Sequence, residues 1–223
     1  MTTHLTRSMT TALLAAAVAC GRSSGAAPQP APETSSNATA TRVRADSLRR
    51  PYTEADVRFM TDMIGHHAQA LVMAGWAPTH GAEPSIRILA ERIINAQQDE
   101  IATMQHWLGD RGHPVADGMA HGTSHDGHAM TMPGMMMPGM LTPAQMASLD
   151  SARGPAFDRL FLTGMIQHHR GAVAMVQQLF DTPGAARDET VFKFANDVNV
   201  DQSTEIARME TMLATLTPER SSP

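Results

Sequence analysis

The chain has 223 residues, 42% hydrophobic and 17% charged, enough apolar material to bury a core. Its 17 Lys and Arg against 22 Asp and Glu leave a formal charge of -5, which argues against nucleic acid as the partner. The departures from ordinary usage are 18 Met, 11 His and a single Cys, with 4% aromatics; one Cys excludes an internal disulfide, and no apolar run has the length of a membrane span.

Residues 1–20 read as an export signal: Arg7 without a nearby acid, the apolar run ALLAAAVA at 12–19, then Cys20-Gly21. That junction is of the bacterial lipoprotein type, with Cys20 as the lipidation site. Ordinary cleavage after Ala17-Val18-Ala19 is the alternative. Both send the protein out of the cytoplasm, as a periplasmic or cell-envelope lipoprotein whose only membrane contact is its lipid anchor, or otherwise as a secreted protein. Residues 21–50, rich in Ser, Ala, Pro and Thr, form a disordered tether.

From residue 51 the chain repeats itself. DVRFMTDMIGHHAQALVM at 56–73 and DRLFLTGMIQHHRGAVAM at 158–175 agree at nine of eighteen positions, counting D, F, T, M-I, H-H, A and M. A weaker match pairs QQDEIATMQHWL at 97–108 with QSTEIARMETML at 202–213, preserving Gln97/Gln202, Glu100/Glu205 and Met104/Met209. Phe59, Met63, His66, Ala70 and Met73 recur every three or four residues, so the first segment is an amphipathic helix that Thr53 can cap. Ile86, Ala90, Ile93, Gln97, Met104 and Leu108 form the stripe of a second helix, with Ser85 as its N-cap and Gly109 as its stop. The second copy starts near Gly154-Pro155, breaks at DTPG (181–184) and runs again from about Asp188 to Leu216. Between the copies, Thr142 and Gln145 have capping-box spacing and predict a short extra helix. The organisation is a first helical hairpin over 51–110, a Met/His-rich linker over 111–141 and a second hairpin over 142–217. Neither hairpin can bury its apolar stripe alone, so the predicted fold is all-α, a ferritin-like four-helix bundle of two tandem hairpins. A domain-swapped dimer of hairpins is the alternative.

Met63 precedes His66 and His67 by three and four residues, which puts thioether and imidazole on one helix surface; Met165, His168 and His169 repeat the arrangement. With the first hairpin turning between about 76 and 85, Met63 and His66 fall near the level of Gln97, and Met165 near Gln202. Met104 and Met209 are expected near the level of Asp56 and Asp158, a helical span from the histidines. Imidazole with thioether suits Cu(I) and, less well, Cu(II), whereas zinc takes Cys, His and carboxylate. For Met63, Met73, Met165 and Met175 core packing competes with ligation, and for Asp56 and Asp158 a helix-dipole role competes. The linker is a second candidate site, with His121, His125, His128, Met130, Met132, Met135, Met136 and Met137 among Gly and Pro, able to wrap a soft ion such as Cu(I) or Ag(I).

The pattern Asp, Phe, Met-Ile, His-His, Ala, Met, followed by Gln and Glu-Ile in the next helix, resembles the domain of unknown function 305 family. The resemblance implies a helical bundle in a secreted or periplasmic protein, with copper as the bound metal. Its matching positions are Asp56, Met63, His66, His67, Met73 and Met104, then Asp158, Met165, His168, His169, Met175 and Met209. The copies differ at Gly65/Gln167 and at Trp107/Met212, and the second of these departures implies two sites of unequal affinity. The expected function is non-enzymatic copper sequestration, buffering or transfer, extending to silver and involving a metal-transport partner. The alternatives are a lipid-tethered interaction module and a divergent di-metal oxidase; against the oxidase, no Glu here has a His three residues on.

Overall fold

A computed structural model describes residues 51–115 and 136–216 of the protein. They form five helices: α1 (Glu54–Gly75), α2 (Pro84–Gly109), α3 (Pro143–Ser151), α4 (Pro155–Asp181) and α5 (Glu189–Thr215). Among the described residues there is no strand, and no helix is long and apolar enough to cross a membrane.

Local chemistry sets the helix ends. Thr53 and Asp56 close a capping box at the start of α1, and Thr142 and Gln145 do the same for α3. Asp188 caps α5 by accepting the Thr190 and Val191 N–H groups at 3.0 and 3.2 Å. Ser85, the expected cap of α2, lies inside the helix and donates to the Glu83 carboxylate at 3.0 Å. Pro84 explains the shift: it lacks an N–H and has φ preset, so it takes the first helical position and moves the N-cap back to Glu83.

Helices α1 and α2 form one hairpin and α4 and α5 the other; the hairpins meet chiefly through α1 and α4, and α3 packs on both of these. The core has two apolar clusters. One joins the start of α1 and end of α2 to the end of α4 and start of α5, around Phe59, Trp107, Val176 and Phe194. The other joins the opposite ends, around Ile86, Ile93, Phe157 and Phe161. Each hairpin therefore runs antiparallel to the other, and the repeat becomes a pseudo-two-fold arrangement. Along every long helix a buried polar residue falls between the two clusters: His66 and His67 in α1, Gln97 in α2, His168 and His169 in α4, Gln202 in α5. These residues form a polar belt across the middle of the bundle.

The aspartates beginning α1 and α4 hold the turn of the opposite hairpin. Asp56 accepts the Ala186 N–H at 2.6 Å, and Asp158 accepts the Glu83 N–H at 3.2 Å. Ala186 has φ 54°, a left-handed conformation that costs a non-glycine residue and needs such an anchor. At one end of the bundle Arg111 pairs with Asp188 at 2.7 Å, both almost fully buried, while its guanidinium lies 4.2 Å over the Trp107 ring. Burial alone would raise the Asp188 pKa. The Trp107 and Val191 N–H donors and the Arg111 charge outweigh it and hold the carboxyl below its usual range.

Candidate metal centre

The belt is built by adjacent histidines, whose side chains diverge by about 100° on a helix. One of each pair points across the bundle: the His66 and His168 rings stack with centroids 3.8 Å apart and planes tilted by 36°. The other points along its own hairpin. The Nε2–H of His67 donates to Glu100 at 2.6 Å, and that of His169 to Glu205, also at 2.6 Å. All four imidazoles are fully buried.

The hydrogen bonds determine which ring nitrogen has a free lone pair. The Nε2 of His66 lies 3.0 Å from the Pro138 carbonyl oxygen, and the Nε2 of His168 lies 2.9 Å from that of His66. A carbonyl only accepts, so both rings carry the proton on Nε2 and leave Nδ1 bare. The carboxylates of Glu100 and Glu205 likewise place a proton on the Nε2 of His67 and His169. In all four rings Nδ1 is buried without a hydrogen-bond partner, as are both amide atoms of Gln97 and the Gln202 Oε1. Buried polar atoms without partners are costly, and here they concentrate at one level of the fold.

The central pair is also held neutral. Burial pushes the His66 pKa from 6.5 down to about 3; the neighbouring His67 adds to the shift, and the bond to Pro138 opposes it. Burial and the adjacent imidazoles drive His168 well below its ordinary value. Neutral rings keep their lone pairs in acid that would protonate an exposed histidine.

The methionines named from the sequence lie on either side of the belt. Met63, Met104 and Met175 share the cluster at one end, while Met73, Met165 and Met209 share the cluster at the other. Met104 and Met209 were expected level with Asp56 and Asp158, apart from the histidines; each instead joins the cluster of its own copy's Met-Ile-x-His-His methionine. That expectation measured level from the turn alone and ignored the reach of long side chains. Asp56 and Asp158 stand about ten residues, or 15 Å, along their helices from the histidines, and their carboxylates are engaged by backbone N–H groups. They are structural anchors of the turns. Met136 is exposed and Met137 half-buried near the belt, whereas Cys20, His121, His125, His128, Met130, Met132 and Met135 lie outside the described residues. Among the described residues no three His, Cys, Asp or Glu side chains group as a metal would require. A soft ion fits the donors present only if thioether sulfur completes a set begun by imidazole.

Glu100, Glu205 and Pro138 were not among the expected site residues. The weaker half of the repeat did carry a sign of the glutamates, which it preserves along with Gln97 and Gln202. Nothing in the sequence marks the Pro138 carbonyl.

The chain belongs to the DUF305 family: the model of that domain of unknown function matches residues 56–213. Similar solved structures include a DUF305 fragment from Deinococcus radiodurans, 31% identical with a TM-score of 0.62, covering 74% of this chain and 98% of that one. A candidate secreted DUF305 protein from Streptomyces coelicolor is 30% identical with a TM-score of 0.61, over 73% and 93% of the two chains. CopM in its Cu(II)-bound form is 29% identical with a TM-score of 0.56, over 73% and 97%, and is also solved with Cu(I) and with Ag. Among curated proteins, the uncharacterized protein L153 of Acanthamoeba polyphaga mimivirus is 38% identical over 56 residues; the match spans 25% of this chain and 37% of that protein's length.

Proposed function

We propose that this DUF305 protein is an extracytoplasmic copper-binding protein that sequesters, buffers or passes on copper, and that silver is a competing ion. One observation carries the reading: four buried imidazoles each have Nε2 anchored on an oxygen acceptor and Nδ1 without a partner, between two clusters of buried thioethers. Acceptors on the far nitrogen orient imidazole ligands and raise their basicity. The candidate ligands are His66 and His67 with Met63, Met104 and Met175, and His168 and His169 with Met165, Met209 and Met73. The likeness to CopM, solved with copper and silver, supports the same chemistry.

The protein binds rather than catalyses in this reading. It is exported and tethered through lipidated Cys20, its linker holds further ions loosely, and a transport protein takes or supplies the metal. The test is a Cu(I) titration of the full chain against a chromophoric competitor, beside a variant with His66, His67, His168 and His169 changed to Ala and one lacking 113–135. Tight binding that survives loss of the linker but not of the histidines is the expected result. Tight binding unaffected by the histidine changes would assign the function to the linker, with the bundle as scaffold; no binding by the intact chain would end the copper reading.

A further inference from the structure

Residues 136–141 form a strap across the face of the bundle where α1 meets α4, and the centre of the strap is a tight turn. The Met140 N–H bonds back to the Met137 carbonyl at 3.2 Å, with Pro138 and Gly139 between them. Proline presets its own φ and Gly139 has φ 76°, the pairing that suits the two central positions of a type II turn. The turn's own hydrogen bond leaves the Pro138 carbonyl unused. That carbonyl accepts the Nε2–H of buried His66 at 3.0 Å.

Neighbours on both helices fasten the strap. Gln69 of α1 brackets Leu141, accepting its N–H at 2.7 Å and donating to its carbonyl at 3.0 Å. Gln167 of α4 donates to the carbonyls of Gly139 and Met140 at 3.4 and 3.3 Å. Beneath the turn lies Gly171, where a Cβ would sit 2.0 Å from the Pro138 oxygen and 2.5 Å from the Gly139 Cα. Glycine weakens a helix interior, so its presence at 171 has a reason: the carbonyl that reaches His66 takes the space of a side chain. Gln69 occupies the equivalent position of the first copy. One position of the repeat thus ties the strap down in one copy and makes room for it in the other.

The two stacked rings therefore depend on different acceptors. The Nε2 of His168 lies 2.9 Å from the backbone carbonyl of His66, which is part of α1 itself. Displacing the strap removes the acceptor of His66 and leaves that of His168 in place. A neutral imidazole without an acceptor can carry its proton on either nitrogen, and its lone pair is then no longer confined to Nδ1.

We infer that the strap positions His66 as a ligand: the Pro138 carbonyl, seated over Gly171, confines the lone pair of that ring to Nδ1, and a metal ion taken there tightens the strap in return. The inference rests on the copper reading above and adds a positioning group and a mutual coupling. An ion on Nδ1 draws electron density from the ring, which makes Nε2–H a stronger donor to Pro138. Linkage then requires that the factor by which the docked strap raises affinity at His66 equal the factor by which the bound ion favours docking.

The experiment uses the full chain with nitrogen-15 in its histidine rings, metal-free and with Ag(I) as a redox-inert probe, beside Gly171→Ala. In the unaltered, metal-free chain the ring nitrogen shifts should place the proton of both His66 and His168 on Nε2. In Gly171→Ala His66 should become a mixture of tautomers while His168 keeps its own, and Ag(I) affinity read at His66 should fall by about tenfold. A strap that served packing alone would leave the His66 tautomer unchanged. In the unaltered chain Ag(I) should slow hydrogen exchange at the Leu141 amide by about the same tenfold factor. Should Gly171→Ala fail to fold, Gln69→Ala, which removes both bonds to Leu141 and adds no atom, supplies the comparison. A His66 proton on Nδ1 in the unaltered chain, a His66 tautomer that survives the variant, or Leu141 exchange that bound Ag(I) does not slow overturns the inference, and Ag(I) binding still decides the copper reading by itself. No Ag(I) binding by the unaltered chain overturns both.

Discussion

The two halves of the bundle are alike where they face each other and unlike where they face the strap. Inside, His67 and His169 meet Glu100 and Glu205 at the same 2.6 Å, and each cluster receives three of the named methionines. Outside, one half carries Gly65 and Gln69 where the other carries Gln167 and Gly171, and of residues 136–141 Met137 packs on one cluster while Leu141 belongs to the other. Repetition supplied two equivalent inner groups of imidazole and thioether, and substitutions beneath residues 136–141 made their surroundings different. Where a duplicated fold binds something, the positions that break the repeat deserve as much scrutiny as those that keep it.

The largest effect expected from the shared interior is acid destabilisation of the metal-free protein. His66 and His168 have folded-state pKa values below the 6.5 of an ordinary histidine, so in acid the unfolded chain binds more protons than the folded one. Their contribution is fully present above 6.5 and is lost as the pH falls, at a limiting slope of about 1.4 kcal/mol per pH unit for each histidine. Urea unfolding from pH 7 down to about 5.5, above the range where most carboxylates titrate, measures it. A slope near that for two protons means that both halves bury a neutral ring; half that slope would break the equivalence.

The ends of the bundle differ next most. Arg111→Ala leaves Asp188 buried without its cation and should cost roughly 3–5 kcal/mol in denaturant unfolding. At the other end His80 bonds to Asp150, whose side chain is 58% exposed, and His80→Ala should cost only about 1 kcal/mol. Equal losses would mean that the buried pair gains nothing from its surroundings. Glu100→Gln and Glu205→Gln should each lower Cu(I) affinity at their own set by about 10–100-fold, measured by competition titration. Losses differing by much more than that range would place the asymmetry in the inner shell rather than under the strap. The smallest effect is that of Thr142→Ala, which removes the cap of α3 just beyond the strap and should cost about 1 kcal/mol by thermal unfolding.

The helices were legible because their signals are local. Period-three-and-four stripes, Thr53 and Thr142 as caps, Gly109 as a stop and the break at DTPG all act within a few residues, and the structure has α1 to α5 where they point. The lapse at Ser85 came from weighing a hydroxyl above the proline beside it. The repeat made the two hairpins and their histidine pairs legible as well, since the same spacing recurs at the same offset.

What the sequence by itself determined was the set of elements, their duplication and the presence of paired imidazoles with thioethers on one helix surface. Only the tertiary structure decided that His66 stacks on His168, that Glu100 and Glu205 take one nitrogen of their partners, and that Asp56 and Asp158 serve the opposite turns. It also decided that a proline carbonyl outside the repeat determines the His66 tautomer. The physical reason is range: helix periodicity and capping are set by neighbours in the chain, whereas a ring's tautomer and its free lone pair are set by whichever acceptor the packed helices bring within 3 Å.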